Sequence, residues 1–354
     1  MKMKLSTIIN PNEKRVAITP EVTAKYVKLG FEVELPKGAG ESAGFSDSEY
    51  EAAGATISDG VIKDVSLYLC VRPVLSENME LSKGSYLIAM LSPFQNAEVL
   101  KKLHLNGINP CALEKIPRIT RAQSMDILSS QANIAGYRAV IEAMSEYCRV
   151  IPLMMTAAGT IRPAKVLIIG AGVAGLQAIA TAKRMGARVR AFDVRRAAKE
   201  QVESLGATFV DVDSDENGET VGGYAREMSE DYKKKQAEKL AEALKTSDIV
   251  ISTAQIQGKP APRLITKEMV DSMMPGSVIV DMATETGGNC EVSKKDEKIV
   301  VNGVTVIGYT DIAARVAYDS SQLFARNVFN FVSLMLKDNK IDTSDEIIQA
   351  TMIK

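Results

Sequence analysis

The chain has no tryptophan, a single histidine and only 5% aromatic residues among 354. So few aromatics do not build the stacking platform that single-stranded nucleic acid requires. One histidine, His104, leaves little means of making a zinc site or a Ser-His-Asp triad. It stands in Lys101-Lys102-Leu103-His104-Leu105, which reads as a solvated helix end. An excess of one charge is missing too: 43 basic residues against 44 acidic ones give a formal net charge of −1. That balance makes no electrostatic case for nucleic acid or an anionic membrane surface. Cys70, Cys111, Cys148 and Cys290 are too scattered for a disulfide framework and read as buried free thiols of a reducing compartment. No apolar run reaches the ~18 residues of a membrane span. Met1-Lys2-Met3-Lys4 leads into a short strand rather than an apolar leader, so no signal peptide is expected.

What is present is an ordinary globular composition, 46% hydrophobic and 25% charged, with length for two domains. The N-terminal stretch, to about residue 130, alternates strand and helix patterns. Strands are expected at 5–9, 31–35, 65–71 and 86–91, and helices at 20–29, 47–53 and 96–105. Such alternation predicts a parallel sheet wrapped by helices. Gly38-Ala39-Gly40 lacks the strand and helix a phosphate loop needs, and reads as a turn.

The most informative stretch lies further on. Val166-Leu167-Ile168-Ile169 runs into Gly170-Ala171-Gly172-Val173-Ala174-Gly175, then a helical pattern stopped at Gly186, then a second strand ending on Asp193. A bare Gly-x-Gly-x-x-Gly arises by chance; strand, glycines, helix, strand and terminal acid in order do not. Gly170 permits the tight turn, Gly172 lets backbone approach a pyrophosphate, and Gly175 lets helix and strand pack closely. The helix start offers free N–H groups and positive partial charge. Asp193 would accept from the adenosine ribose hydroxyls and repel a 2′-phosphate, favouring NAD(H). Arg195 and Arg196 pull the other way, but the carboxylate ends the strand where the ribose would sit.

Further strands at 248–252, 277–281 and 304–308 complete a second doubly wound sheet. The fold class expected is therefore α/β, two Rossmann-like doubly wound domains with mainly parallel sheets. One domain is expected from 1–135, completed by 325–354, and the nucleotide-binding domain from 140–325. A helix at 133–149 would join them, and another at 322–336 would return to the first. The tail 337–354 reads as polar and short. The acidic, Gly-containing stretch 211–228, with Tyr224 after a Gly pair, fits a flexible loop and a lid equally. Arg118 to Gln131 is crowded with donors and acceptors without net charge, which suits a ligand-facing segment better than a solvated loop.

Together these residues resemble the NAD(H)-binding component, domain I, of the proton-translocating nicotinamide nucleotide transhydrogenases. They resemble alanine dehydrogenases and lysine-forming saccharopine dehydrogenases more distantly. The likeness covers nearly the whole chain: Asn12 to Pro20, Gly38-Ala39-Gly40, Phe45-Ser46-Asp47, Arg121 to Gln131, Met154 to Thr160, Gly222-Gly223-Tyr224-Ala225 and Gly287-Gly288-Asn289-Cys290. The resemblance implies a dimeric, two-domain subunit whose bound NADH gives hydride directly to NADP⁺ held on a partner domain. A membrane subunit would couple that transfer to proton movement, so the chain would sit in the cytoplasm at the inner membrane face through its partners. It implies that Arg118, Gln123, Asp126 and Ser129 meet the nicotinamide end. It also implies that Gly170, Gly172, Val173, Gly175, Asp193 and Val194 hold the rest of the nucleotide, with Tyr224 on a mobile loop closing over it. No metal is implied.

Alanine dehydrogenases place a lysine in a Lys-Glu-Pro segment and a histidine near the end of the following strand. The matching stretches here read Val71-Arg72-Pro73 and Met90-Leu91-Ser92-Pro93, and their aspartate position reads Glu285. Oxidising an amino acid needs groups to polarise carbon and shuttle protons, which Val71 and Met90 cannot do. Arg15 remains, and a lone turn arginine suits a structural role. A non-enzymatic NAD(H)-responsive module is the other alternative.

Overall fold

The computed structural model of the protein describes all residues except 1, 78, 213–217, 219–227, 257–258, 311 and 354. The chain divides into two units, Met1–Gln131 with Ala313–Lys354, and Ala132–Ile312. In the first, β1 (Lys4–Ser6), α1 (Pro20–Lys28), β2 (Glu32–Pro36), α2 (Asp47–Ala52), β3 (Thr56–Ser58), β4 (Leu67–Leu69), β5 (Tyr86–Ala89), α3 (Ala97–Leu105) and β6 (Asn109–Ala112) follow one another. The strands form a parallel sheet in the order β3-β2-β1-β4-β5-β6. Local chemistry sets the ends. Pro20 opens α1, where a missing N–H costs nothing, and Ser46 with Glu49 forms a reciprocal cap on α2.

Gly38-Ala39-Gly40 is a turn, and packing explains its second glycine. A Cβ on Gly40 would lie 2.5 Å from the Tyr50 ring and 2.8 Å from the Phe45 carbonyl. Tyr50 in turn donates its hydroxyl to the Ile18 carbonyl at 2.7 Å.

Helix α4 (Ile127–Glu146) begins before the expected Asn133 and crosses from one unit's residues into the other's. The earlier start has a cause in Asp126. Its carboxylate accepts the backbone N–H of Ser129 at 2.9 Å and the Ser129 hydroxyl at 2.6 Å, the bonding of a helix N-cap.

In the second unit the hairpin of β7 (Met154–Thr156) and β8 (Gly159–Ile161) precedes β9 (Lys165–Ile169), α5 (Val173–Arg184), β10 (Arg188–Phe192), α6 (Ala197–Ser204) and β11 (Thr208–Phe209). Then come α7 (Glu230–Lys245), β12 (Ile249–Ser252), α8 (Lys267–Asp271), β13 (Val278–Asp281), β14 (Lys298–Val301) and β15 (Val304–Ile307). The sheet order is β11-β10-β9-β12-β13-β15-β14, with only β14 antiparallel to its neighbour. Alternate residues of β9 feed two cores. Val166 and Ile168 pack with Ala178 of α5, and Leu167 and Ile169 with Leu240 of α7 and Val270 of α8.

The chain ends in the first unit with α9 (Ala317–Met335), β16 (Leu336–Lys337), β17 (Lys340–Ile341) and α10 (Glu346–Thr351). The tail is not the short polar extension its composition suggests. α10, capped by Asp345, buries Ile347 and Ile348 completely, and Met352 bridges to Cys111 at the end of the sheet. Two apolar residues suffice once a cap fixes the face they share.

His104 is half-buried, with its Nδ1 shut off from water and lacking a partner, because it stands one turn from buried Leu100 on α3. Cys148 is exposed; Cys70, Cys111 and Cys290 are the buried thiols, and burial pushes their pKa values up to about 11, about 12 and about 11.

Candidate nucleotide site and polar loop

The glycine loop joins β9 to α5 where the strand order turns back, between β9 and β12. In open α/β sheets this switch point leaves a crevice at the carboxyl ends of the strands. Each glycine answers a different demand. Gly170 has φ 93, and a Cβ there would lie 2.7 Å from Thr253 Oγ1 and 3.2 Å from the Ala254 N. A Cβ on Gly175 would lie 1.8 Å from the Gly170 carbonyl oxygen, so only glycine lets α5 sit against the strand end. Gly172 is the opposite case. Its φ of −73 and ψ of −168 suit any residue, and an added Cβ would meet no protein atom within 4 Å. Nothing in the protein demands glycine there. A ligand approaching the backbone at the start of α5 would, so the residues fit a dinucleotide pyrophosphate.

Residues that motif reading passed over shape the other wall. Thr253 Oγ1 donates to the Gly170 carbonyl at 3.0 Å. Asn289, fully buried, accepts from Ser252 Oγ at 2.6 Å and Ala254 N at 3.1 Å, and donates to the Ala254 and Pro262 carbonyls. Gly288, at φ 81, passes over Asp281, whose carboxylate accepts from Cys290 N and Ser293 Oγ. The Gly287-Gly288-Asn289-Cys290 segment is thus a brace for the loop after β12. Gly136 of α4 would place a Cβ 2.1 Å from the Ala174 carbonyl, so the first turn of α5 is braced as well. A family likeness flagged the first of these segments; no pattern in the sequence flagged Thr253 or Gly136.

Asp193 ends β10 as expected, but it is 8% exposed and its carboxylate is already engaged. Oδ2 accepts from Ala171 N at 2.7 Å and Arg195 Nη2 at 2.8 Å; Oδ1 accepts from Arg195 N at 2.8 Å and Nε at 2.9 Å. Those bonds fill its roughly four acceptor directions. The competition between Asp193 and Arg195 is thereby internal, one neutralising the other. Val194 follows, and its carbonyl accepts from Gly218 N at 3.0 Å. Tyr224 lies outside the described residues.

In the first unit, Arg118, Gln123, Asp126 and Ser129 fall on or beside a 3-10 turn, Thr120–Met125, and the start of α4. Arg118 and Gln123 are exposed; Asp126 and Ser129 are half-buried and bonded to each other. Ala122 and Met125 pin the turn to the core. The switch point of this unit, between β1 and β4, is bridged by protein. Thr7 donates to the Leu69 carbonyl and Asn10 to the Arg72 carbonyl, each at 2.7 Å.

Arg15 is buried, and its guanidinium is occupied. Nε and Nη2 bond the two carboxylate oxygens of Glu13 at 2.9 and 2.8 Å, and Nη1 bonds Gln131 Oε1 at 2.7 Å. Burial opposes ionising Glu13, but the hydrogen bond and charge of Arg15 outweigh it and hold the carboxyl below its ordinary value. Val71 is buried, Met90 half-buried and Glu285 exposed. Among the described residues no cluster of His, Cys, Asp and Glu could hold a metal ion.

A glycine loop at the switch point of a doubly wound sheet defines the Rossmann class of dinucleotide-binding folds. The chain belongs to the alanine dehydrogenase/PNT family: residues 7–135 match its N-terminal domain and 139–354 its C-terminal domain. It is 49% identical to a Rhodospirillum rubrum protein named as the first portion of NAD(P) transhydrogenase subunit alpha, over 100% of this chain and 96% of that one. A crystal structure of transhydrogenase from Sinorhizobium meliloti superposes with a TM-score of 0.90 at 44% identity, covering 99% of this chain and 98% of the other. The alanine dehydrogenase of Halomonas elongata is 30% identical over 94% of this chain and 86% of its own. The chain is accordingly an oxidoreductase component of the transhydrogenase kind.

Proposed function

We propose that this chain holds NAD(H) on the glycine loop of its second unit and passes hydride directly to NADP⁺ bound on a partner domain. Gly170, Gly172, Val173 and Gly175 present backbone to the pyrophosphate, and Asp193 with Val194 receives the adenosine ribose, Arg195 moving aside as it does. Gln123 and Asp126, with Arg118 and Ser129, address the nicotinamide. Tyr224, which lies outside the described residues, is assigned with them to nucleotide binding. The reaction moves one hydride from C4 of NADH to C4 of NADP⁺, leaving NAD⁺ and NADPH. The chain's own residues need only hold and turn the donor, because no proton is exchanged at the reacting carbons.

One observation carries the choice of reaction. The positions where an alanine dehydrogenase needs a lysine and a histidine hold buried Val71 and half-buried Met90, and the guanidinium of Arg15 is engaged by Glu13 and Gln131. Neither Val71 nor Met90 can do acid–base work on an amino acid at those positions.

The partners follow from the same reading: an NADP(H)-binding domain, a membrane subunit that couples transfer to proton movement, and a second copy of this chain. The name of the Rhodospirillum relative, which marks it as one piece of a subunit, supports an assembly of several chains. Attachment at the cytoplasmic face through those partners belongs to the same proposal; among the described residues no helix is long and apolar enough to cross a membrane. The β7–β8 hairpin supports the second copy, since its strands are exposed and carry Met154, Met155 and Ile161.

The test is to mix the protein with an NADP(H)-binding domain of this kind and follow exchange between NADH and NADP⁺. Exchange that requires both proteins is expected. L-Alanine-dependent reduction of NAD⁺ by the chain alone, or nucleotide binding with neither activity, would overturn the proposal. Gln123→Asn is expected to lower the exchange rate ~10-fold while leaving NADH affinity within about threefold. Equal losses in both would remove Gln123 from its role.

A further inference from the structure

We propose that Asn327 and Asn330, on successive turns of α9, are positioning residues that hold Gln123, Asp126 and Ser129 in the pose hydride transfer requires. This rests on the function proposed above and extends it to a helix some 200 residues downstream, Asn327 lying 203 positions beyond Ser124.

The polar loop has little of its own to fix it. Arg118, Ile119, Thr120, Arg121, Gln123 and Ser124 are exposed, leaving Ala122 and Met125 as its apolar anchors. Arg121 forks onto Asp345 and Glu346, but it is half-exposed, and such surface pairs contribute little. The Ser124 carbonyl is held differently. It accepts Nδ2 of Asn327 at 2.7 Å and Nδ2 of Asn330 at 3.0 Å, filling both its lone pairs from one helix face. The Oδ1 of Asn327 then accepts the Ser130 hydroxyl at 2.7 Å.

One carboxamide therefore ties the residue after Gln123 to the residue after Ser129, with the Asp126 cap spanned between. The far end of this tie does not move easily, because α9 buries Phe324, Val328 and Phe331. Both asparagines are themselves only half-buried. Removing them loosens the loop without opening a core cavity. A misplacement of ~1 Å in a reacting geometry can cost ~100-fold in rate, far more than it costs in binding.

The experiment compares the full-length wild type with Asn327→Ala/Asn330→Ala and with Asn327→Asp, which keeps an acceptor for Ser130 and loses the donor to Ser124. Each is assayed for hydride exchange with the NADP(H)-binding domain, for NADH affinity by calorimetry, for melting temperature, and for amide exchange over 120–131. The exchange rate is expected to fall ~10-fold or more, with NADH affinity within about threefold and melting within a few degrees. Amides of 120–131 are expected to exchange faster while those of β9 and β10 do not change. A rate within twofold of wild type, or parallel losses of rate, affinity and melting temperature, would overturn the positioning role. If the double variant does not fold, Asn327→Asp decides by the same readouts. Wild-type protein that exchanges no hydride would overturn the underlying function instead, a distinct outcome.

Discussion

At the scale of single residues, the glycine loop is a set of separate demands rather than one motif. Gly175 is required by a carbonyl 1.8 Å from where its Cβ would be, whereas Gly172 faces no protein atom within 4 Å. The two should therefore fail differently. Gly175→Ala is expected to cost ~2 kcal/mol or more of stability through overpacking, seen in urea unfolding. Gly172→Ala is expected to leave stability nearly unchanged and weaken NADH binding ~10-fold or more, because the added methyl meets only the ligand. Identical behaviour of the two variants would contradict this division. The glycines were readable in sequence because strand, helix and acid stand beside them in order. Thr253 was not, since a threonine after a strand signals nothing until the sheet order places it across from Gly170.

At the scale of elements, strands and helices with strong periodicity were legible, while their starts were set by polar contacts that periodicity does not carry. α4 begins at its Asp126 cap, and α10 exists because Asp345 caps two adjacent isoleucines. The polar character of the Arg118–Gln131 segment, from which its proposed ligand-facing role is argued, was visible in sequence. Its anchors on α9 were not, because they join residues remote in sequence. The Glu13–Arg15–Gln131 cluster was equally hidden, and it carries a pH signature. Glu13 titrates below its ordinary value of 4.5, so the pair stabilises the fold fully above about that pH and loses its contribution as pH falls through the folded value. Glu13→Gln is expected to cost about 3 kcal/mol near pH 7, with the gap to wild type shrinking below pH ~4.5 in urea titrations. A gap that stayed constant down to pH ~3 would show that the charge of Glu13 contributes nothing.

At the scale of the whole molecule, a doubly wound α/β fold followed from alternating patterns and a switch-point glycine loop, and family likeness narrowed the chemistry. What composition could not show is which surfaces meet other chains. The hairpin of β7 and β8 leaves Met155 79% exposed. A dimer through this hairpin predicts that Met155→Lys shifts sedimentation from dimer toward monomer while unfolding is unaffected. A wild-type protein monomeric at tens of micromolar would exclude it. Isotopic labelling follows the path of the transferred hydrogen directly. NADH carrying deuterium at both C4 positions would be mixed, in ordinary water, with this protein, its NADP(H)-binding partner and NADP⁺. NADPH bearing one deuterium, in full yield, is the predicted product; NADPH whose new hydrogen came from water would contradict direct transfer.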